Sequence, residues 1–452
     1  MSRARLLRKV CWLTAGVISL AGTISLSQQA VDPAPELLLS QAIEMALNGN
    51  DAVKNAKLDV SKSEWQVSEA KSRRFPETSI DLFAADDLNS PSFTYKKGVF
   101  GDVNGQPVPS TDVSINLSTG ITGYAVASIM QPLTQLYKIN LAVRMQELSV
   151  EFSKEQFRGK QQSVVADVKQ AYYAILQAES ALEAEKALVL QYQETDRVAL
   201  QYLAQESVLL SDSLEVKAKL AQAQHQMVVL KNNLDTDKEH LNNLLGRDID
   251  TPFRTQSTPP VSAEEMDLKV ARQTALRQRP EVKEAELDVS RAGLDLRLAK
   301  AQYIPDIGGA IRYFSPINTQ ILPQNIVSAG LALTWEPVDW GRRKDKIKQK
   351  GLTVEQSNNQ LQDTRAKVLL DVDNTFRKLE ESRSMISVAQ AARDASKEKL
   401  REVSNPFKQS AVLLRDVLQQ EAAVANANHD YEESLLALLN ATAEFEKALG
   451  EE

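Results

Sequence analysis

Two stretches of this chain, far apart, carry the same pattern. "ALNGNDAVKNAKLDVSKSEWQVSEAKSRRFPE" begins at Ala46 and "ALRQRPEVKEAELDVSRAGLDLRLAKAQYIPD" begins at Ala275. At a constant offset of 229 residues, Ala46, Leu47, Val53, Ala56, Leu58 to Ser61, Ala70, Lys71 and Pro76 recur as Ala275, Leu276, Val282, Ala285, Leu287 to Ser290, Ala299, Lys300 and Pro305. Ungapped agreement of that density points to one unit duplicated, so whatever the unit folds into is built twice. Later in each copy the offset is about 204. There "QPLTQLYK" at Gln131 answers "EPVDWGRR" at Glu336, and "LLG" ending at Gly246 answers "ALG" ending at Gly450. The change of offset puts the length difference in mid-copy, where loops absorb insertions. The expected organisation is a first repeat over 37–250, a Pro/Ser/Thr-rich linker over 251–265 and a second repeat over 266–450.

Within each copy the hydrophobic period switches. Residues 52–73 and 281–303 are helical in pattern, and each run stops ahead of a proline, Pro76 or Pro305, because the residue before proline is pushed out of the helical region. Alternation follows: Ile80, Leu82 and Ala84 in one copy, Ile307, Gly309, Ile311 and Tyr313 in the other. A second alternating stretch precedes the next proline, with Val113, Ile115 and Leu117 in the first copy and Leu331, Leu333 and Trp335 in the second. Period 2 with one apolar and one small or polar face predicts strands. The intervening segments, "DDLNSPSFTYKKGVFGDVNGQPVPSTD" and "FSPINTQILPQN", are rich in Gly, Pro, Asn and Ser and read as exposed loops. After Pro132 and Pro337 long helical tracts begin. Val164, Val168, Ala171, Ile175, Ala178 and Leu182 keep the heptad spacing of supercoiled helices. A tract from 140 to 203 would be roughly 95 Å long at 1.5 Å per residue. Each copy is therefore expected to run helix, strand, loop, strand, long helix, tip, long helix.

Composition supports this and removes several functions. Gly and Pro number only 17 and 16 among 452 residues, and aromatics make up 6%, which favours helix. The net charge of −7 argues against a sequence-blind nucleic-acid binder. Residues 1–30 read as a signal peptide: Arg3, Arg5, Arg8 and Lys9, the apolar run "VCWLTAGVISLAGTISL", then small residues. An uncleaved anchor is the alternative. The sole cysteine, Cys11, lies inside that segment, so the mature chain is expected to have no disulfide and no thiolate chemistry. No phosphate-cradling glycine loop, metal-spaced histidine cluster or nucleophile elbow occurs, so no enzyme and no cofactor is expected. His225, His240 and His429 are isolated on polar helical stretches.

Four strands in lipid leave two open edges with unpaired backbone groups, which symmetry can close. Two chains would give an eight-stranded barrel filled by its own side chains, and three would give twelve strands, wide enough to enclose water. If the strands are membrane-embedded and the protein conducts solutes, a homotrimer is the smallest assembly that works.

The segments "RPEVKEAELDVSRAGLDLRLAKAQYIPDIG" and "EPVDWGRR" and the doubled "VLLSD" and "VLLRD" at Val208 and Val412 resemble the TolC-type outer-membrane efflux proteins, over nearly the whole mature chain and in the family's order. The resemblance implies an α+β membrane protein. Four strands per chain would form a 12-stranded β-barrel in the trimer, continued into the periplasm by a tunnel of antiparallel α-helical hairpins. It implies an outer-membrane exit duct of a tripartite efflux or type I secretion system, working with a periplasmic adaptor and a proton-driven or ATP-driven inner-membrane pump. The competing reading is a periplasmic coiled-coil structural or adaptor protein without a pore, which should lack the alternating segments at 111–130 and 326–335.

The family closes its tunnel at the periplasmic tips, with a ring of aspartates. Asp416 matches the first of two such acids, Gln419 stands where the second is expected, and Asp212 matches the acid of the other tip. The family's tip glycine is missing, with Glu206 and Ser410 near its place. Asp212, Arg415, Asp416 and Gln419 are thus gate candidates. Val208, Leu209, Leu210, Val412, Leu413 and Leu414 are adaptor-docking candidates. The plainer reading of the aspartates is an acid in the first turn of a helix, favoured by the macrodipole. That of the apolar triplets is packing of the turn. Arg342 and Arg343 read as solvated charges at a helix start, or as partners of anionic headgroups or of a tunnel-lining acid, and Asp59 and Asp288 as solvated acids. Tyr172 and Tyr173 are expected between helices, one inward and one at the rim. Trp335 and Trp340 suit an interfacial belt or corner packing.

Overall fold

A computed structural model describes residues 35–86, 92–116, 121–206, 208–256, 267–317, 323–407 and 414–451. The expected signal peptide with Cys11, part of the linker, Leu117, Ser410, Val412 and Leu413 lie outside the described residues.

The first copy opens with a short strand, β1 (Glu36–Leu37), and two helices, α1 (Leu39–Gly49) and α2 (Asp51–Ser72). The strand β2 (Glu77–Asp86) leads into short strands β3 (Ser92–Tyr95), β4 (Asp102–Val103), β5 (Gln106–Pro107) and β6 (Val113–Asn116), then the long strand β7 (Ile121–Pro132). The hairpin of α3 (Gln135–Ala204) and α4 (Leu210–Leu244) and the short strand β8 (Arg254–Thr255) complete it. The second copy has α5 (Leu268–Gln278), α6 (Pro280–Ala301), β9 (Asp306–Ile317), β10 (Ile326–Thr334), α7 (Arg342–Phe407) and α8 (Leu414–Leu449). With 70 and 66 residues, α3 and α7 extend about 105 and 99 Å at 1.5 Å per residue.

The structure departs from the sequence reading in the order of its elements. Each copy has two helices ahead of its first long strand rather than one, because Asn50 and Arg279 break the helical run in extended backbone, with Pro280 opening α6. The loop of the first copy is also partly ordered into strands. Val113 and Ile115 belong to β6, which pairs with β3, while β4 pairs with β5. The second strand of the membrane sheet is β7. Its alternation is weak, with Tyr124, Val126 and Met130 on one face and mostly Gly and Ala on the other, so the sharper pattern upstream drew the reading away from it.

The heptad positions of α3 form the core of the first copy. Val164, Val168, Ala171, Ile175 and Leu182 are all buried, packed with Ala42 and Ala46 of α1 and Leu241 of α4. Each fully buried aliphatic side chain stabilises by about 1.5–3 kcal/mol. Tyr172 and Tyr173 are both buried, so neither sits at a rim. The Tyr172 hydroxyl lies 2.8 Å from both the Leu37 and Gln256 carbonyl oxygens and accepts from the Gln256 N–H at 3.0 Å, fixing the parallel β1–β8 pair against α3.

Where α4 ends, α2 begins. The Asn50 side chain accepts from the N–H groups of Ala52 and Val53 at the start of α2 and donates to the Leu244 carbonyl at the end of α4 (2.9 Å). One amide thus serves two helix termini whose backbone groups would otherwise be orphaned. The contact demands glycine. Gly246 has φ of +68°, and a Cβ there would lie 2.2 Å from the Gly49 oxygen. In the second copy Gly450 (φ +83°) abuts Arg279 in the same way, and the Gln162 side chain donates to its carbonyl at 2.7 Å. The recurring "LLG" and "ALG" are these junctions.

Candidate functional site

The antiparallel sheet has the strand order β10-β9-β7-β2, leaving β2 and β10 as edges. Its strands are 9 to 12 residues long, enough to cross a bilayer at the tilt of a barrel. Its register separates two faces. One carries Ile80 and Leu82 of β2, Ile129 of β7, Ile311 of β9 and Val327, Leu331 and Leu333 of β10. All of these are exposed in the chain, Leu331 and Ile80 to 77% and 76%. The opposite face carries a polar row across all four strands, Ser79, Ser128, Arg312 and Ser328, with Ser79 and Ser128 hydroxyls 2.8 Å apart. Farther from the helices that face bears Phe83, Tyr124 and Phe314, with ring centroids 5.4 and 6.0 Å apart in succession. Val126 and Met130 share that face, so it is the more polar of the two rather than wholly polar, and an apolar face backed by a more polar one is what a lipid-embedded, water-lined barrel wall requires. No helix among the described residues is long and apolar enough to cross a membrane.

The prolines mark corners where strands become helices. Thr134 donates its hydroxyl to the Pro305 carbonyl at 2.6 Å and accepts from the Ile307 N–H, and Lys138 pairs with Asp306 at 2.6 Å. In "EPVDWGRR", Asp339 accepts from the N–H groups of Gly341 and Arg343, which hold its carboxyl below the usual range. Arg343 is buried, donates to the Glu336 carbonyl at 2.6 Å and lies over the Tyr303 ring. It is a corner staple rather than a solvated charge; Arg342, exposed, pairs with Glu336. Trp340 is 97% exposed, and Trp335 is exposed as well, so neither packs the corner.

The tips lie at the far ends of the hairpins. At the first, α3 ends through Gln205 and Glu206, and Leu209 in extended backbone starts α4. Glu206 has φ of +55°, the left-handed conformation that glycine adopts most cheaply. Val208 packs with Val189, Tyr192, Ala199 and Val216, whereas Leu209 and Leu210 are 69% and 61% exposed. The apolar triplet is thus divided between packing and exposure. Asp212 sits in the first turn of α4, accepting from the Ser211 hydroxyl at 3.3 Å. At the second tip, Asp416 is an acid in the first turn of α8, two residues after Leu414 as Asp212 is after Leu210. Asp416 is half-buried and Gln419 exposed, while Leu414 and Arg415 are placed by their backbone.

Acids inside the helical layer were invisible in the sequence. Glu284 on α6 has its pKa pushed up to about 7 by burial and by the charges of Glu281, Asp288 and Glu155. Glu421 on α8 is buried, which raises its pKa, and burial also raises that of Glu185. A glutamate on a charged helix reads as solvated, and only tertiary packing distinguishes these. Asp59 and Asp288 are exposed, as expected. Among the described residues no group of His, Cys, Asp and Glu is placed to hold a metal ion.

Compared with known proteins, the sequence matches the profile of the outer membrane efflux proteins over residues 42–247 and 271–451. The chain belongs to the outer membrane efflux protein family. No curated protein sequence matches it. Its fold is similar to that of CusC, with a TM-score of 0.75 at 15% identity over 92% of each chain. The outer-membrane channel CmeC of Campylobacter jejuni gives 0.74 at 16% identity, covering 91% of this chain and 85% of that one. The outer membrane protein VceC of Vibrio cholerae gives 0.72 at 15% identity, covering 91% and 96%. The efflux protein described here thus has the fold class expected from its sequence, long helical hairpins joined to a membrane sheet. It resides in the outer membrane with its helices extending into the periplasm, and its family is one of transport proteins, not enzymes.

Proposed function

We propose that three copies of this efflux protein form a passive exit duct, coupled through a periplasmic adaptor to an inner-membrane pump driven by protons or ATP. The observation that carries the reading is the four-stranded sheet with segregated faces and two unpaired edges, β2 and β10. Its apolar face suits lipid, its polar face suits water, and its edges are satisfied when β10 of one copy pairs with β2 of the next. Three copies then make a twelve-stranded wall with the row of Ser79, Ser128, Arg312 and Ser328 turned to the lumen. Each chain is read as a signal peptide over 1–30 and repeats over 37–250 and 266–450, joined by the linker 251–265. This is supported by two successions of paired helices, strands and a long hairpin.

In this reading the tips form the periplasmic end. Asp212, Asp416, Arg415 and Gln419 set the charge of the gate, and exposed Leu209 and Leu210, with Val412, Leu413 and Leu414 of the other tip, meet the adaptor. Val208 serves packing instead. The protein extracted from outer membranes in mild detergent is expected to sediment with the protein mass of three chains. A water-soluble monomer lacking its signal peptide would contradict the proposal.

A further inference from the structure

A cleft of about 610 Å³ opens between the two hairpins, on the inner helices α3 and α8, with α4 and α7 at its margins. It is strongly acidic. Glu183, Glu185, Glu421 and Glu432 line it, beside His429, and none of the described residues lining it is Lys or Arg. Lys186 pairs with Glu183 at 2.7 Å, and among the described residues no Lys or Arg forms an ion pair with Glu185, Glu421 or Glu432. Leu188, Leu230, Leu400 and Val424 give it apolar walls.

Glu421 is the decisive residue. It is only 7% exposed, and its Oε2 has no hydrogen-bond partner. Gln191 contacts the carboxyl but does not offset its burial, and Glu185 adds a second acid nearby. Burying a carboxyl atom without a partner forfeits its hydration, and the penalty grows when the group is charged, so it persists where something else satisfies it. The groups that satisfy carboxylates best are charged donors, and the walls call for an apolar body behind the charge. The cleft also crosses the middle of the α4-α3-α8-α7 layer, whose margins α4 and α7 are where neighbouring copies would meet.

We infer that this cleft is a binding site for organic ammonium ions, with Glu421 receiving the ammonium and the leucine walls its apolar body. This goes beyond the exit-duct reading, since it places a ligand site within one chain and away from the tips.

The test is calorimetric titration of the full protein, reconstituted in lipid nanodiscs, with 1-naphthylmethylammonium and its neutral counterpart 1-naphthylmethanol. The amine is expected to bind at least about tenfold more tightly than the alcohol, as one charge-assisted hydrogen bond in a buried site allows. Glu421→Gln is expected to weaken the amine at least about tenfold, while Glu284→Gln, in a different cleft, leaves it unchanged. If Glu421→Gln fails to fold, Glu432→Gln at the half-buried margin must weaken the amine. Equal binding of amine and alcohol overturns the inference. So does wild-type affinity in Glu421→Gln, or equal weakening by the Glu284 substitution. Because binding is read without conduction, loss of the duct reading and loss of this site would be separate results.

Discussion

Glu206 holds a left-handed backbone (φ +55°) at the first tip, where a β-carbon costs about 1–2 kcal/mol relative to glycine. Glu206→Gly is therefore expected to stabilise the α3–α4 turn by up to about 1 kcal/mol, once the greater freedom of glycine in the unfolded chain is set against it. Slower amide exchange in the first turn of α4 would register the gain. Glu284 makes a prediction with a definite sign. Its folded pKa of about 7 lies above the ordinary value of 4.5, so the unfolded chain releases this proton first and stability falls as pH rises through that window. Glu284→Gln should leave the unfolding midpoint unchanged near pH 4 and raise stability at pH 8. The gain is on the order of 1 kcal/mol after allowing for solvent screening at a half-exposed site. Denaturant titrations at the two pH values decide it. Neither Glu284 nor Glu421 was legible in the sequence, because helical spacing shows which residues share a face but not which faces meet a neighbouring helix. Asp212 and Asp416 were legible as helix-start acids, and the structure puts both at the same position of their first turns.

At the scale of elements, the long helices, the strand-to-helix corners and β2, β9 and β10 followed from period and proline. What escaped had physical reasons. The division of α1 from α2 depends on one residue, Asn50, whose extended backbone only becomes sensible when the end of α4 arrives to share its side chain. The strand β7 was blurred because small residues fill one face, and Arg343 was misread because its burial arises from a partner strand corner. The junction also gives a sharp expectation. Gly246→Ala forces a β-carbon onto the Gly49 carbonyl and a left-handed backbone onto alanine, and should destabilise by at least about 2 kcal/mol. Asn50→Ala should cost about 1–2 kcal/mol through the lost cap and the Leu244 carbonyl left unpaired. Chemical unfolding followed by helical circular dichroism measures both.

For the molecule as a whole, duplication explains why two unlike tips sit on equivalent hairpins. Leu210 and Leu414 open the second helices, and Asp212 and Asp416 follow at the same interval, but Ser211 faces Arg415 and Glu215 faces Gln419 in the comparison of copies. Three chains would bring six such turns together, so a single substitution changes the ring threefold, and charges gathered around an aqueous pore bias which ions enter. The sheet argues the same assembly from the other end, since only closure satisfies both β2 and β10. On the proposed function, these two ends belong to one water-filled conduit. Single-channel recording of the purified protein in planar bilayers tests it most directly. Discrete conductance steps are expected, with a cation preference that Asp416→Lys reduces or reverses. Purified, correctly inserted protein that passes no current, or conducts with the same preference in the Asp416→Lys form, would contradict it.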